Sequence, residues 1–267
     1  MKAGTNHPGI YIALMMLAAQ LVPGQAHSVS SAPESHIIAP PAGHQIFENQ
    51  KLVYSVQWHM LNAGTTTIIL RRSDSSEHLT STADSQGLVN RIFPVHDIFR
   101  AEFDPRTFCT ERIAKHSEEG SRRLDRKIAF DYARAKSQVD DTDLKTGKKK
   151  HAEFDIPTCV TDVVSGFFYA GSLPLAPGYT HLFPVNDGGK TTDVRMLVEA
   201  REPVRVAGGS FATLRVKAAP VNGPLKGSLW VWVSDDARRL PVKMRSKLGF
   251  ATLNFELQRL EPEAGAK

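Results

Sequence analysis

From Lys51 onward the chain alternates apolar and polar residues: Leu52, Tyr54, Val56 and Trp58 are each separated by a single residue. Successive side chains of a strand point to opposite faces, so this spacing predicts a strand with one buried face. Asn62-Ala63-Gly64 predicts a turn, and the β-branched run at 65–70 predicts the returning strand of a hairpin. A third strand is expected at 78–83. Residues 87–103 mix apolar and charged positions around Pro94 and predict a bent segment leading into a strand. Asp104-Pro105-Arg106-Thr107 reads as a turn. Strands are then expected at 109–117 and 123–132, joined at Glu119-Gly120-Ser121, with two shorter ones flanking a tip at Gly147.

One segment breaks this pattern. Val163, Val164, Phe167 and Phe168 have the spacing of one helical face, which predicts a helix over 161–171. Pro157 precedes it, Thr161 can cap it, Asp162 suits its positive end, and Gly171 with Pro174 stops it. Three bulky aromatic side chains, Phe167, Phe168 and Tyr169, require a sheet to pack against. Strands resume at 179–185 and 192–200 around Asn186-Asp187-Gly188-Gly189, then at 204–207 and 211–218 around Gly208-Gly209. Three more are expected at 228–234, 240–247 and 250–260. The tally is about a dozen strands, antiparallel throughout, with one helix and no repeat of fixed period: a mainly β fold.

The N-terminus has a different pattern. Lys2 and His7 precede a 13-residue apolar run, Ile10 to Val22, which Pro23 breaks before the small-x-small Gly24-Gln25-Ala26. That run is short of the roughly 20 residues of a membrane span. It reads as a secretory signal over 1–26, cleaved near Ala26. No cysteine follows it, which argues against a lipidated N-terminus. Residues 27–45, rich in Ser, Pro, Ala and His, read as a flexible leader, and 46–262 as a single β-rich domain. No later segment reaches membrane-spanning length, so a soluble periplasmic or secreted protein is expected.

Composition adds little beyond this: 41% hydrophobic and 23% charged residues suffice for a core. The net charge of +5 is partly clustered, at 122–127 and 145–150. For an exported chain such runs meet anionic headgroups or acidic glycans more often than nucleic acid. Lys148 to Lys150 follow Thr146-Gly147 and read first as a solvated hairpin tip. Two cysteines, Cys109 and Cys159, permit one disulfide in that compartment, closing a loop worth about 4 kcal/mol; two separately buried thiols are the alternative. They are too few for a zinc cage.

Catalytic chemistry finds little support. Asp235-Asp236 would alternate faces on a strand and, followed by Ala-Arg-Arg, suits a hairpin tip with exposed ion pairs. His96-Asp97 is the one histidine beside an acid that could orient it, and reads more readily as a turn than as a dyad. No His-Glu-x-x-His, Gly-x-Ser-x-Gly or phosphate-loop motif occurs. The remaining candidates are aromatic: Trp58, Phe167, Phe168, Tyr169, Trp230 and Trp232. They form either a core beneath the helix or the wall of a ligand cavity. Trp230 and Trp232, two apart, share a face.

Several segments together resemble DUF3108, a bacterial family of exported proteins of unknown function. They are the strand Leu52-x-Tyr54-x-Val56-x-Trp58 with Ala63-Gly64-Thr65, the Phe130-Asp131-Tyr132 strand end, the helix from Asp162 to Tyr169, and the hairpin Trp232-Val233-Ser234-Asp235-Asp236-x-Arg238-Arg239-Leu240-Pro241-Val242. The similarity covers about 47–260. Such proteins look like relatives of the periplasmic lipoprotein carriers. The resemblance therefore implies a strongly curved antiparallel sheet or half-barrel covered by a helix. It implies neither catalytic residues nor a cofactor. The expected role is non-catalytic: binding an amphipathic lipid, lipoprotein or lipid-linked glycan, or contacting an envelope protein partner, with no nucleic acid.

Overall fold

The computed structural model describes residues 34–41, 44, 46, 50–59, 61–73, 76–222, 227–248 and 251–262. The expected signal segment and most of the expected leader lie outside the described residues. Up to the middle of the chain the elements are β1 (Gln50–Trp58), β2 (Leu61–Arg72), β3 (Glu77–Ser85), α1 (Gly87–Ile92), β4 (Val95–Phe103), β5 (Thr110–Glu119), β6 (Arg122–Asp131), β7 (Lys136–Asp143) and β8 (Lys149–Asp155). Then come β9 (Thr161–Asp162), α2 (Ser165–Ser172), β10 (Thr180–Asp187), β11 (Lys190–Val206), β12 (Gly209–Pro220), β13 (Gly227–Ser234), β14 (Pro241–Leu248) and β15 (Ala251–Pro262). All fifteen strands belong to one sheet, ordered β8-β7-β6-β5-β4-β3-β2-β1-β15-β14-β13-β12-β11-β10-β9. Two meanders, β1–β8 and β10–β15, are thus sewn together where β1 pairs with β15.

Curvature follows from one distance. In sheet order β7 and β11 are eleven strand spacings apart. Laid flat, that is about 50 Å. Yet Ser137 Oγ, on β7, donates to the carbonyl of Gly189, just before β11, at 2.7 Å. The sheet therefore rolls round until its two ends meet across the inside. Thr110 of β5 meets the other end likewise, through its N–H to Val160 O at 2.8 Å and its Oγ1 to Asp162 Oδ2 at 3.0 Å. The glycine at the tip is required: Gly189 has φ 89°, and a Cβ there would lie 2.2 Å from Val139 Cγ2.

One core occupies most of the inside. Leu52, Tyr54, Val56, Ile68, Leu70, Met196, Val198, Met244 and Phe255 are among its buried members. The helix α2 is buried nearly all round, with Phe167, Phe168 and Tyr169 each at most 6% exposed. It plugs the roll.

Several expectations are corrected in detail. Asn62 to Gly64 do not form the first turn; they lie inside β2, with Ala63 bulged between Asn62, opposite Gln57, and Gly64, opposite Val56. Gly64 is needed for close packing, since a Cβ would lie 2.1 Å from the Asp84 carbonyl oxygen. The expected bend at 87–103 contains a short helix, α1, ahead of β4. The strands expected at 192–200 and 204–207 are one, β11, bulged at Glu199. Pro203 does not break it, because β11 has by then run past the last paired residue of β10. The sheet is not antiparallel throughout: β9 runs parallel to β10.

The helix begins at Ser165, and Asp162, not Thr161, caps it. Asp162 Oδ1 accepts from the N–H groups of Val164 and Ser165, both at 2.9 Å. Burial pushes the Asp162 carboxyl up, against the opposing effect of these hydrogen bonds. Part of the expected leader is docked: Ile38 N–H donates to Tyr169 Oη at 3.0 Å and His36 N–H to Leu182 O at 3.2 Å.

Candidate functional site

Beside the plug, the inside is not filled. A cavity of about 370 Å³ lies between the inner face of β4–β6 and the β10–β11 tip that reaches across to them. Phe99, Ile113, Leu124, Ile128 and Phe154 give it apolar surface, with Val163 beside the helix. Lys115, Arg122, Arg126 and Lys190 bring four cations to its wall, and Asp187 one carboxylate. Strand parity places them: Ile113, Lys115 and Glu119 alternate along β5, and Arg122, Leu124, Arg126 and Ile128 along β6.

Carboxylates, Glu119 buried and Asp141 partly exposed, stand behind these cations. Arg126 makes a two-pronged contact with Asp141, Nε to Oδ1 at 2.6 Å and Nη2 to Oδ2 at 2.7 Å. Glu119, 4% exposed, lies 3.9 Å from Lys115 Nζ and 3.5 Å from Arg122 Nη1. Burial, with a hydrogen bond and repulsion from Asp97, pushes its carboxyl up to about 7 despite both cations. Lys190 instead sits over the Phe154 ring, 5.4 Å from its centre. Apolar side chains interleaved with cations suit an anionic amphiphile.

The structure does not gather the six aromatic candidates around this cavity. Phe167, Phe168 and Tyr169 belong to the core, Tyr169 packed against Phe183 and Phe108 at 5.0 and 5.6 Å and 2.8 Å from His181 Nε2. Trp58 ends the inner row of β1, half-buried against the core. Trp230 and Trp232 share a face, but it is the outer one. Val231 and Val233 take the inner positions, because β13 must present its slimmer side to the packed interior.

On that outer face lies a second, shallower recess of about 860 Å³, bounded by Trp230, Trp232, His59 and several polar and charged residues. Cys109 and Cys159 are joined in a disulfide, their sulfurs 2.07 Å apart, bridging the start of β5 to the approach to β9. His96 and Asp97 are split across the sheet. His96 Nδ1 lies 2.5 Å from Asp84 on the exposed side, whereas Asp97 faces Glu119 inside. Asp235 and Asp236 sit in the β13–β14 connection, paired with Arg239 and Arg201 and with Arg238. Among the described residues, no group of three His, Cys, Asp or Glu side chains could hold a metal ion, and no helix is long and apolar enough to cross a membrane.

Sequence reasoning missed Lys115, Glu119, Arg122 and Arg126 as site residues. Their signal was present in the parity of Ile113-x-Lys115 and Arg126-x-Ile128, but a charge run reads first as a solvated face.

Among solved structures, the chain is similar to a β-barrel-like protein of the domain of unknown function DUF1849 from Brucella abortus. The TM-score is 0.57 at 8% identity, covering 81% of this chain and 98% of that one, which shows a shared fold. Two weaker likenesses are to a chain described as an exported protein with a YmcC-like fold from Bacteroides fragilis (TM-score 0.33, 10% identity, 85% and 99% covered) and one described as a lipoprotein from Parabacteroides distasonis (0.28, 10%, 85% and 100%). No curated protein matches in sequence. The DUF3108 family, described as protein of unknown function, matches residues 53–258, three quarters of the chain, and the chain belongs to that family.

Proposed function

We propose that this is an exported, non-catalytic envelope protein that holds one apolar chain of an anionic amphiphile (a lipid, a lipidated protein or a lipid-linked glycan) in the inner cavity. The observation that supports it is the cavity itself, whose lining interleaves apolar side chains with four cations. Its volume lies at the lower end of the roughly 300–1,000 Å³ typical of ligand pockets, which suits a single chain. The short apolar run before Ala26 supports export, with the periplasm as the compartment. The separation of His96 from Asp97 supports a binding role over hydrolysis.

The other reading is assembly with an envelope protein through a sheet edge. Strand β8 is such an edge, but it is short and begins Lys149-Lys150-His151, and charged edge residues discourage strand addition. Native mass spectrometry of the protein from its own host, followed by solvent extraction, tests the binding reading. A retained amphiphile is expected, and Leu124→Trp, which fills the cavity, should lose it. Recovery of the protein with no lipid, or an equal yield from Leu124→Trp, would overturn it.

A further inference from the structure

The outer recess has a charge balance that the inner cavity lacks. On this face Lys243 pairs with Glu256 at 2.7 Å, and Arg215 pairs with both Glu199 and Glu202 at 2.9 Å. Lys217, Arg245 and Lys247 are different: among the described residues none has a carboxylate within ion-pair distance. Arg245 Nε donates only to the amide oxygen of Asn254, at 2.9 Å. Strand pairing brings these cations together, since Lys217 and Arg245 lie opposite Trp230 on its two neighbouring strands and Lys247 opposite Ser228. Lys217 Nζ stands 5.4 Å from the centre of the Trp230 ring, and Arg245 5.8 Å from that of Trp232.

We infer that this recess is a second binding site, for an acidic oligosaccharide whose carboxylates meet Arg245 and Lys247 in the recess and Lys217 beside it, while a sugar ring lies against the part of Trp230 that lines the recess. Unmatched cations call for an anion. Lys217 stands over one face of the Trp230 indole, and the part that lines the recess supplies an apolar wall against which the C–H groups of a pyranose can pack. Sugar hydroxyls both donate and accept hydrogen bonds, and the recess offers both roles: Asn254 and Thr252 beside the cations, and Glu199 as an acceptor. A bilayer surface fits less well. Trp232 is 7% exposed and Trp230 lies under Lys217, so neither indole projects to insert. The site lies on the face opposite the inner cavity and does not depend on what fills that cavity.

The test is titration of the intact protein with tetragalacturonate, followed by tryptophan fluorescence and calorimetry. Binding is expected, weakened at least tenfold by the surface double variant Lys217→Gln/Arg245→Gln and by raising salt to 0.5 M. Trp230→Leu should weaken it similarly, and neutral cellotetraose should bind at least tenfold more weakly than the acidic sugar. Leu124→Trp, on the inside, should leave the affinity within twofold. The inference is overturned if tetragalacturonate fails to bind, or if the charge-neutral double variant, melting like the parent, binds it equally well. Tighter binding of a single-stranded oligonucleotide or of phosphatidylglycerol vesicles at the same residues would overturn it too.

Discussion

The inner cavity and the outer recess are built from the same two ingredients, cations and aromatic rings, and differ in what stands behind the cations. Inside, Arg126 is clamped by Asp141, and Lys115 and Arg122 flank a buried glutamate. Outside, three cations have no acid within ion-pair distance among the described residues. An unpaired charge out of water costs several kcal/mol, so the interior admits cations only with their counter-charges. Solvent removes that requirement on the outer face. Arg126, clamped by Asp141, and Lys115 and Arg122, beside Glu119, are therefore held in place, suited to positioning a headgroup, whereas the outer cations retain attraction for a distant anion.

The largest expected contrast is in packing. Phe168→Ala, beneath the roll, should destabilise the protein by about 4 kcal/mol in urea unfolding, the usual range for emptying a buried aromatic site. Trp230→Ala, on the outer face, should cost about 1 kcal/mol. Equal costs would mean that the outer tryptophan is part of the core and that the two regions are not distinct.

Next comes the cap. Asp162→Ala removes the acceptor for two buried N–H groups and for Thr110 Oγ1, and should cost about 3 kcal/mol. Asp162→Asn keeps one acceptor oxygen and should recover more than half of that loss. If it recovers none, the charge rather than the cap geometry matters, and the account of how α2 starts fails.

Much of this was legible in the chain, and the failures have physical causes. Period-two alternation located β1 because its alternate positions face the core. It also placed Trp230 and Trp232 on a common face. It could not say which face, because on β13 the valines alternate with the tryptophans and both sets are apolar. The glycine at 64 was taken for a turn because turn and close approach demand the same absence of Cβ. The inner site was hidden for a different reason. β6 has a single buried position, Ile128, among four arginines and lysines, so its inner row reads as exposed until the β10–β11 tip is known to cover it.

The third contrast concerns protons. Glu119 has its folded carboxyl raised to about 7 from an ordinary 4.5. The folded protein then binds a proton more tightly than the unfolded one. This contribution to stability is complete below pH 4.5 and is lost as pH rises through 7, by about 3 kcal/mol as a ceiling. Glu119→Gln should flatten stability over that window and leave the variant more stable than the parent at pH 8, by about 1–2 kcal/mol once the loss to Lys115 and Arg122 is counted. A parent whose stability rises between pH 5 and 7 with Glu119 intact, and an unchanged slope in the variant, would show that the buried carboxylate is already ionised.

The smallest effect separates the two faces most directly. Arg126–Asp141 and Lys243–Glu256 are ion pairs of similar length and exposure, 2.6 and 2.7 Å, one lining the cavity and one on the outer face. The inner pair has two parallel hydrogen bonds from a rigid guanidinium. The outer has one bond from a flexible ammonium that also lies 5.8 Å from the Trp232 ring. Double-mutant cycles to alanine should give a coupling of about 1–2 kcal/mol inside and under about 0.5 outside. Adding 0.5 M salt should abolish the outer coupling and reduce the inner by less than half, because ions screen only what they can approach. If salt erased both alike, the cavity wall would be as wet as the outer face, and the positioning role assigned to its cations would lose its basis.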